Sequence, residues 1–173
     1  MKLIKEVTQE QVWEHWKNVE KLTGDKFRWD IRKDLVEHYD MRWFLAETEK
    51  EDLENMFIIS SDDWRVITKT FRLLETVKEF QLDVNEKRIE DIPVERLKKV
   101  CDIQAKKLIY EENINGLDRK LILVSPSHTG NFTIIEGNKR AVALLSMNKL
   151  VGNQIYLGIS KQILRYLWAR YSK

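Results

Sequence analysis

The sequence predicts an α+β protein in which a helical N-terminal portion packs on a mixed α/β core. Three observations carry that prediction. Over residues 1–60, aromatic and apolar side chains recur at near-helical spacing. Residues 121–124, Leu-Ile-Leu-Val, form a short unbroken apolar run of the kind that makes a strand buried on both faces. Residues 132–145 read as a strand, a glycine break and an apolar helix in direct succession. The boundaries that follow are 1–60 for the helical region and 61–173 for the core with its C-terminal helix.

In chain order, Thr8 with Gln11 is a capping-box pair that opens a first helix, since each side chain can satisfy a first-turn amide. Val12, Trp13, Trp16, Val19 and Leu22 give that helix its apolar face up to Gly24. Leu35, Tyr39 and Trp43 at four-residue steps predict a second helix over 31–46, and Thr48 with Glu51 a third. Residues 57–60 read as a short strand and Asp62-Asp63 as a turn, while 64–80 fit either a strand or a helix. Pro93 suits a first helical position, and Val94, Leu97, Cys101, Ala105 and Leu108 form the predicted buried stripe of the helix that follows. On this reading Cys101 is a buried thiol. Lys98, Lys99, Lys106 and Lys107 fall largely outside the stripe, as a solvated helix face. Asn115-Gly116 is a turn, 125–131 a loop and 154–159 a third core strand. Ser160 is placed to cap a last helix carrying Ile163, Leu164, Leu167, Trp168 and Tyr171.

The 30 Lys and Arg nearly balance the 28 Asp and Glu, a net charge of +2. A protein held on duplex DNA by backbone contacts shows a larger basic excess, so non-specific nucleic-acid binding is disfavoured. One cysteine allows no internal disulfide, and no apolar run is long enough to span a bilayer. The charged start Met1 to Glu10 does not read as a signal peptide, so a cytoplasmic protein without a membrane partner is expected. The three histidines and the cysteine are scattered too widely for a zinc site. His15, between Trp13 and Trp16, reads as structural.

The chemistry concentrates in Glu136-Gly137-Asn138-Lys139-Arg140-Ala141. A strand that ends in glycine permits a sharp turn. A helix starting at Asn138 then offers free amides and the positive end of its dipole to an anion. Lys139 and Arg140 add cations, and an arginine grips phosphate oxygens bidentately. A phosphate-bearing ligand is the expectation.

These six residues resemble the acidic-Gly-Asn-His-Arg signature of the ParB/sulfiredoxin superfamily, and the order helix, strand, hairpin, strand, motif, helix, strand over residues 85–160 is similar to that family's core. The resemblance implies a ParB/sulfiredoxin-like fold for the C-terminal part. It also implies nucleotide phosphates held by Arg140 and the loop around Gly137 and Asn138, with ATP or CTP as the nucleotide and Mg²⁺ as a possible companion. Asn138 stands where sulfiredoxins carry the reactive cysteine, so sulfinic-acid repair is not expected. Asn138-Lys139-Arg140 replaces the Glu-Arg-Arg of the chromosome-partitioning members, which sets this chain apart from the CTP clamps.

Phosphoryl transfer would need a base and a carboxylate for Mg²⁺. Glu136 is the expected catalytic carboxylate, with Glu111 and Glu112 nearby. Ser125, Ser127 and His128 in the hairpin are expected to complete the ligand contacts of Gly137, Asn138, Lys139 and Arg140. The leading expectation is therefore a nucleotide-binding protein with Mg²⁺-dependent hydrolysis or phosphoryl transfer to a small substrate. The alternatives are a non-enzymatic nucleotide- or DNA-binding module, or a ParB-like nuclease, in DNA maintenance, phage or defence biology.

Overall fold

The structure, a computed structural model, describes residues 1–23, 39–112 and 118–165. Its framework is a six-stranded mixed sheet: β1 Lys2–Val7, β2 Arg42–Glu47, β3 Met56–Ile58, β4 Leu121–Ser125, β5 Phe132–Glu136 and β6 Gln154–Ile159. The strand order is β1-β2-β6-β4-β5-β3. β4 runs parallel to β6 and antiparallel to β5, and β3 runs parallel to β5. The helices are α1 Gln9–Thr23, the single turn α2 Asp62–Arg65, α3 Leu73–Asn85, α4 Val94–Glu112 and α5 Asn138–Ser146. The α+β class is as expected, and among the described residues no helix is long and apolar enough to cross a membrane.

The wholly buried β4 organises two layers of core. Leu121 and Leu123 face one side, with Phe132, Ile134, Ile155 and Leu157, beneath α3, α4 and α5. Ile122 and Val124 face the other, with Ile135 and Trp43, beneath Val12, Trp13 and Trp16 of α1. Trp13 meets Trp16 and Trp43 edge to face, with centroids 5.9 and 5.4 Å apart. That geometry favours aromatic pairs by about 0.5–1.5 kcal/mol beyond their area. The Thr8–Gln11 box forms as predicted: the Thr8 amide donates to Gln11 Oε1 at 3.0 Å and the Gln11 amide to Thr8 Oγ1 at 3.3 Å.

The reading of residues 1–60 as a helical region with a short strand only at 57–60 is corrected. They supply β1, β2 and β3, half of the sheet, so the sheet runs across the expected boundary at residue 60. Trp43 lies on a strand, where it pairs with Gly158, rather than on a helix over 31–46; residues 31–38 of that segment are outside the described residues. The cap after Thr48 shifts by one position. The Glu49 amide donates to Asp52 Oδ2 at 2.7 Å, while the Thr48 hydroxyl donates to the Leu150 carbonyl in the interior. The open stretch 64–80 resolves into the end of α2, a bend and the start of α3. Ser160 caps only a three-ten turn over Lys161–Arg165, its hydroxyl accepting from the Gln162 amide at 3.2 Å. Gly24, Asn115, Gly116, Leu167, Trp168 and Tyr171 lie outside the described residues.

The α4 stripe is also corrected. Val94 is 78% and Leu108 48% exposed, and Cys101 is exposed. Lys99, Val100, Ile103 and Tyr110 face inward instead. Two cations explain the rotation. Arg96 donates to Glu79, to Asp83 and to the carbonyls of Val66 and Ile67. Lys99 lies 4.7 Å from the Trp64 ring centroid and 2.7 Å from Asp63 Oδ2. Their bonds hold the next helical face against the core.

Gly158 marks a tight contact between neighbouring strands. A Cβ there would sit 2.8 Å from two atoms of the Trp43 ring, which therefore lies flat across β6 only because the position is glycine. Gly158→Ala is expected to destabilise the protein by about 1–3 kcal/mol through overpacking. Urea unfolding checks this, and a change below about 0.5 kcal/mol, the size of a neutral surface substitution, contradicts the packing described.

Candidate functional site

The predicted strand, turn and helix form as read: β5 ends at Glu136, Gly137 adopts φ +89°, and α5 starts at Asn138. Glycine is required here for two reasons. The left-handed backbone disfavours a side chain, and a Cβ would come within 2.6 Å of Leu121 Cδ2. The β4–β5 register shifts between Ile122 and Leu123, a bulge-type irregularity that re-aims the strand end just before the turn.

The motif side chains point in three directions. Asn138 is buried, and its Oδ1 accepts from the Ile59 amide at 2.9 Å, tying the start of α5 to the end of β3. Arg140 is only 6% exposed; its guanidinium donates to the Lys120 carbonyl and lies 3.7 Å from Glu136 Oε1. Arg140 thus clamps the start of β4 to the end of β5. Lys139 turns the opposite way, 2.5 Å from Asp102 Oδ2 on α4.

The hairpin residues do not join this cluster. β4 and β5 are antiparallel, so the loop connecting them lies at the far end of the strands from Gly137, about 13 Å away at ~3.3 Å per residue. There the Ser125 hydroxyl donates to the Gly130 carbonyl at 2.5 Å, and the Ser127 hydroxyl lies 3.2 Å from that of Thr129. Both close the turn on itself, and His128 is exposed beside them. The expectation that Ser125, Ser127 and His128 complete the motif's ligand contacts is corrected by this topology. Glu111 and Glu112 are exposed at the end of α4, with Glu111 3.8 Å from Lys107.

What does gather at the motif is a groove of about 390 Å³ between α2, α4 and the first turn of α5. Lys98, Lys99 and Lys139 line it together with Asp63, Glu95 and Asp102. Lys99–Asp63 and Lys139–Asp102 are ion pairs of 2.7 and 2.5 Å that cross it. Three ammonium groups face three carboxylates, so the groove is charge-balanced. A ligand that suits it presents both signs, with anionic oxygens for the lysines and a cation for the aspartates. Among the described residues, no three His, Cys, Asp or Glu side chains are arranged to hold a metal by themselves. The sequence pattern places Lys98 and Lys99 on a solvated face, whereas both line this groove. The adjacent Lys-Lys pair was the available signal, but Asp63 and Asp102 lie 36 and 37 residues from their partners.

Comparison with known protein families, with characterised proteins and with solved structures finds no match for this chain.

The two cations of the motif are therefore expected to behave differently on mutation. Arg140→Ala removes the buried donor to the Lys120 carbonyl and the cation beside Glu136, and should cost about 3 kcal/mol. Lys139→Ala removes one partly exposed ion pair and should cost less than about 1 kcal/mol. Denaturant titration of both variants checks the assignment, and equal small losses would show that Arg140 is not a clamp.

Proposed function

We propose that this protein binds a nucleoside triphosphate carrying Mg²⁺ in the groove at the start of α5. The observation that carries the reading is the grouping of Lys98, Lys99 and Lys139 with Asp63 and Asp102 beside the Gly137 turn. Lysine ammonium groups bind phosphate oxygens as point charges, and a helix N-terminus adds amides and dipole to the same end. The resemblance of residues 136–141 to the ParB/sulfiredoxin signature supports the same ligand class.

The charge balance favours a metal–nucleotide over a bare phosphate. Mg²⁺ keeps most of its waters and is commonly held by one or two carboxylates plus the phosphates it accompanies. Asp63 and Asp102 are the carboxylates that suit it, and their donor chemistry, hard oxygen only, fits. When bound, the metal would supply charge neutralisation of the phosphates. The lysines released from their aspartates would then turn to the phosphate oxygens. In this reading Arg140 is a positioning residue that fixes the turn from behind, and Glu136 is its partner. Hydrolysis or transfer to a small acceptor is the extension of this reading that requires turnover.

Thermal unfolding with ATP or CTP, with and without Mg²⁺, tests it in wild type, Lys98→Ala and Lys139→Ala. A nucleotide at 100 times its Kd should stabilise the wild type by about 2.7 kcal/mol. Each lysine variant should fold normally and lose most of that gain, and Mg²⁺ should enlarge the wild-type shift. No shift with either nucleotide in the wild type overturns the proposal. Stabilisation by a DNA oligomer alone, falling steeply with salt, would assign the protein to nucleic-acid binding instead.

A further inference from the structure

On the other face of the sheet, α1 and the β1–β2–β6 edge enclose a second groove of about 360 Å³. His15 and Tyr156 line it, with Lys5, Lys120, Gln11 and Glu14 around them. The His15 side chain is 8% exposed, and its Nδ1 lies 3.1 Å from Asp118 Oδ2. Its ring packs on Tyr156 with centroids 5.1 Å apart. Nε2 is buried and, among the described residues, has no hydrogen-bond partner.

A buried polar atom without a partner is a cost that native proteins rarely leave standing, and one explanation is a ligand that supplies the missing bond. The surroundings specify that bond. A carboxylate on Nδ1 fixes the proton there in the neutral ring, which leaves Nε2 as an acceptor. Asp118 is suited to this task. Burial raises its pKa, but hydrogen bonds from His15 and from the Lys120 amide outweigh burial and hold it well below the usual carboxylate range. Lys120 Nζ is 3.1 Å from Asp118 Oδ2, and the exposed Lys5 adds a second cation to the groove.

We infer that this groove is a second ligand site, for a small anion that carries a hydroxyl group, the hydroxyl donating to His15 Nε2 and the anionic group lying between Lys5 and Lys120. The site is separate from the lysine groove on the α4 side and does not depend on a nucleotide binding there. Lys120 belongs to both faces in one respect: its carbonyl is the group that Arg140 clamps.

The test is a long-range proton–nitrogen NMR spectrum of the full chain labelled with ¹⁵N-histidine. His15 is assigned from His15→Gln, and glycerol 3-phosphate, glycolate and inorganic phosphate serve as probes. In the free protein the His15 ring should be the Nδ1–H form. Glycerol 3-phosphate or glycolate should move Nε2 saturably, inorganic phosphate should bind at least several-fold more weakly, and Lys5→Ala should weaken binding about tenfold, the scale of one lost charged contact. Lys5 is exposed, so that variant leaves the fold intact. No movement of Nε2 with any probe overturns the inference. Equal binding of phosphate alone, or binding indifferent to Lys5→Ala, overturns it as well.

Discussion

Burial of β4 on both faces is the constraint from which the rest of the molecule follows. Leu121 to Ser125 are all fully inaccessible, so neither side of this strand can meet water. Cover has to come from both directions: α3, α4 and α5 close one side, and α1 with its tryptophans closes the other. A strand so enclosed also fixes what happens at its ends, because backbone groups there need partners in a dry environment. At its first end the Lys120 carbonyl finds Arg140, and the Gly137 turn packs on Leu121. At its last end the Ser125 carbonyl accepts from the Ser160 amide.

This arrangement accounts for the separation of roles within one short motif. Gly137, Asn138 and Arg140 spend their chemistry on the interior, holding the turn, the end of β3 and the start of β4 in register. Lys139 alone of the four faces a groove, and it shares that groove with lysines of α4. A rigid frame with one outward cation is what a binding loop needs, since a positioned charge loses less entropy on meeting a ligand.

Local patterns made part of this legible. The four-residue apolar run of β4, the glycine between β5 and α5, and the reciprocal Thr8–Gln11 pair each carry their own physical reason and formed as read. In the first 60 residues the four-residue step from Tyr39 to Trp43 mimics a helical period, while the Trp43 ring is stationed over Gly158, far away in sequence on the neighbouring strand β6. The α4 stripe failed for a related reason: Arg96 and Lys99 find carboxylates and an aromatic face inside, so the apolar positions turn outward. The candidate site was half visible. Strand, turn and helix could be read, but the direction of each cation depends on carboxylates tens of residues away. The antiparallel β4–β5 pairing, which carries Ser125, Ser127 and His128 to the wrong end, acts only in three dimensions.

The central claim is that the first turn of α5 and the facing side of α4 form one phosphate-binding surface. Amide and lysine NMR shift mapping of the uniformly labelled protein with Mg²⁺–ATP and Mg²⁺–CTP tests this most directly. The account predicts saturable shifts at the amides of Asn138 and Lys139 and at the side chains of Lys98, Lys99 and Lys139, with the hairpin around His128 unmoved. Shifts that gather at the hairpin, or that leave α4 and the start of α5 untouched at saturating nucleotide, would contradict it.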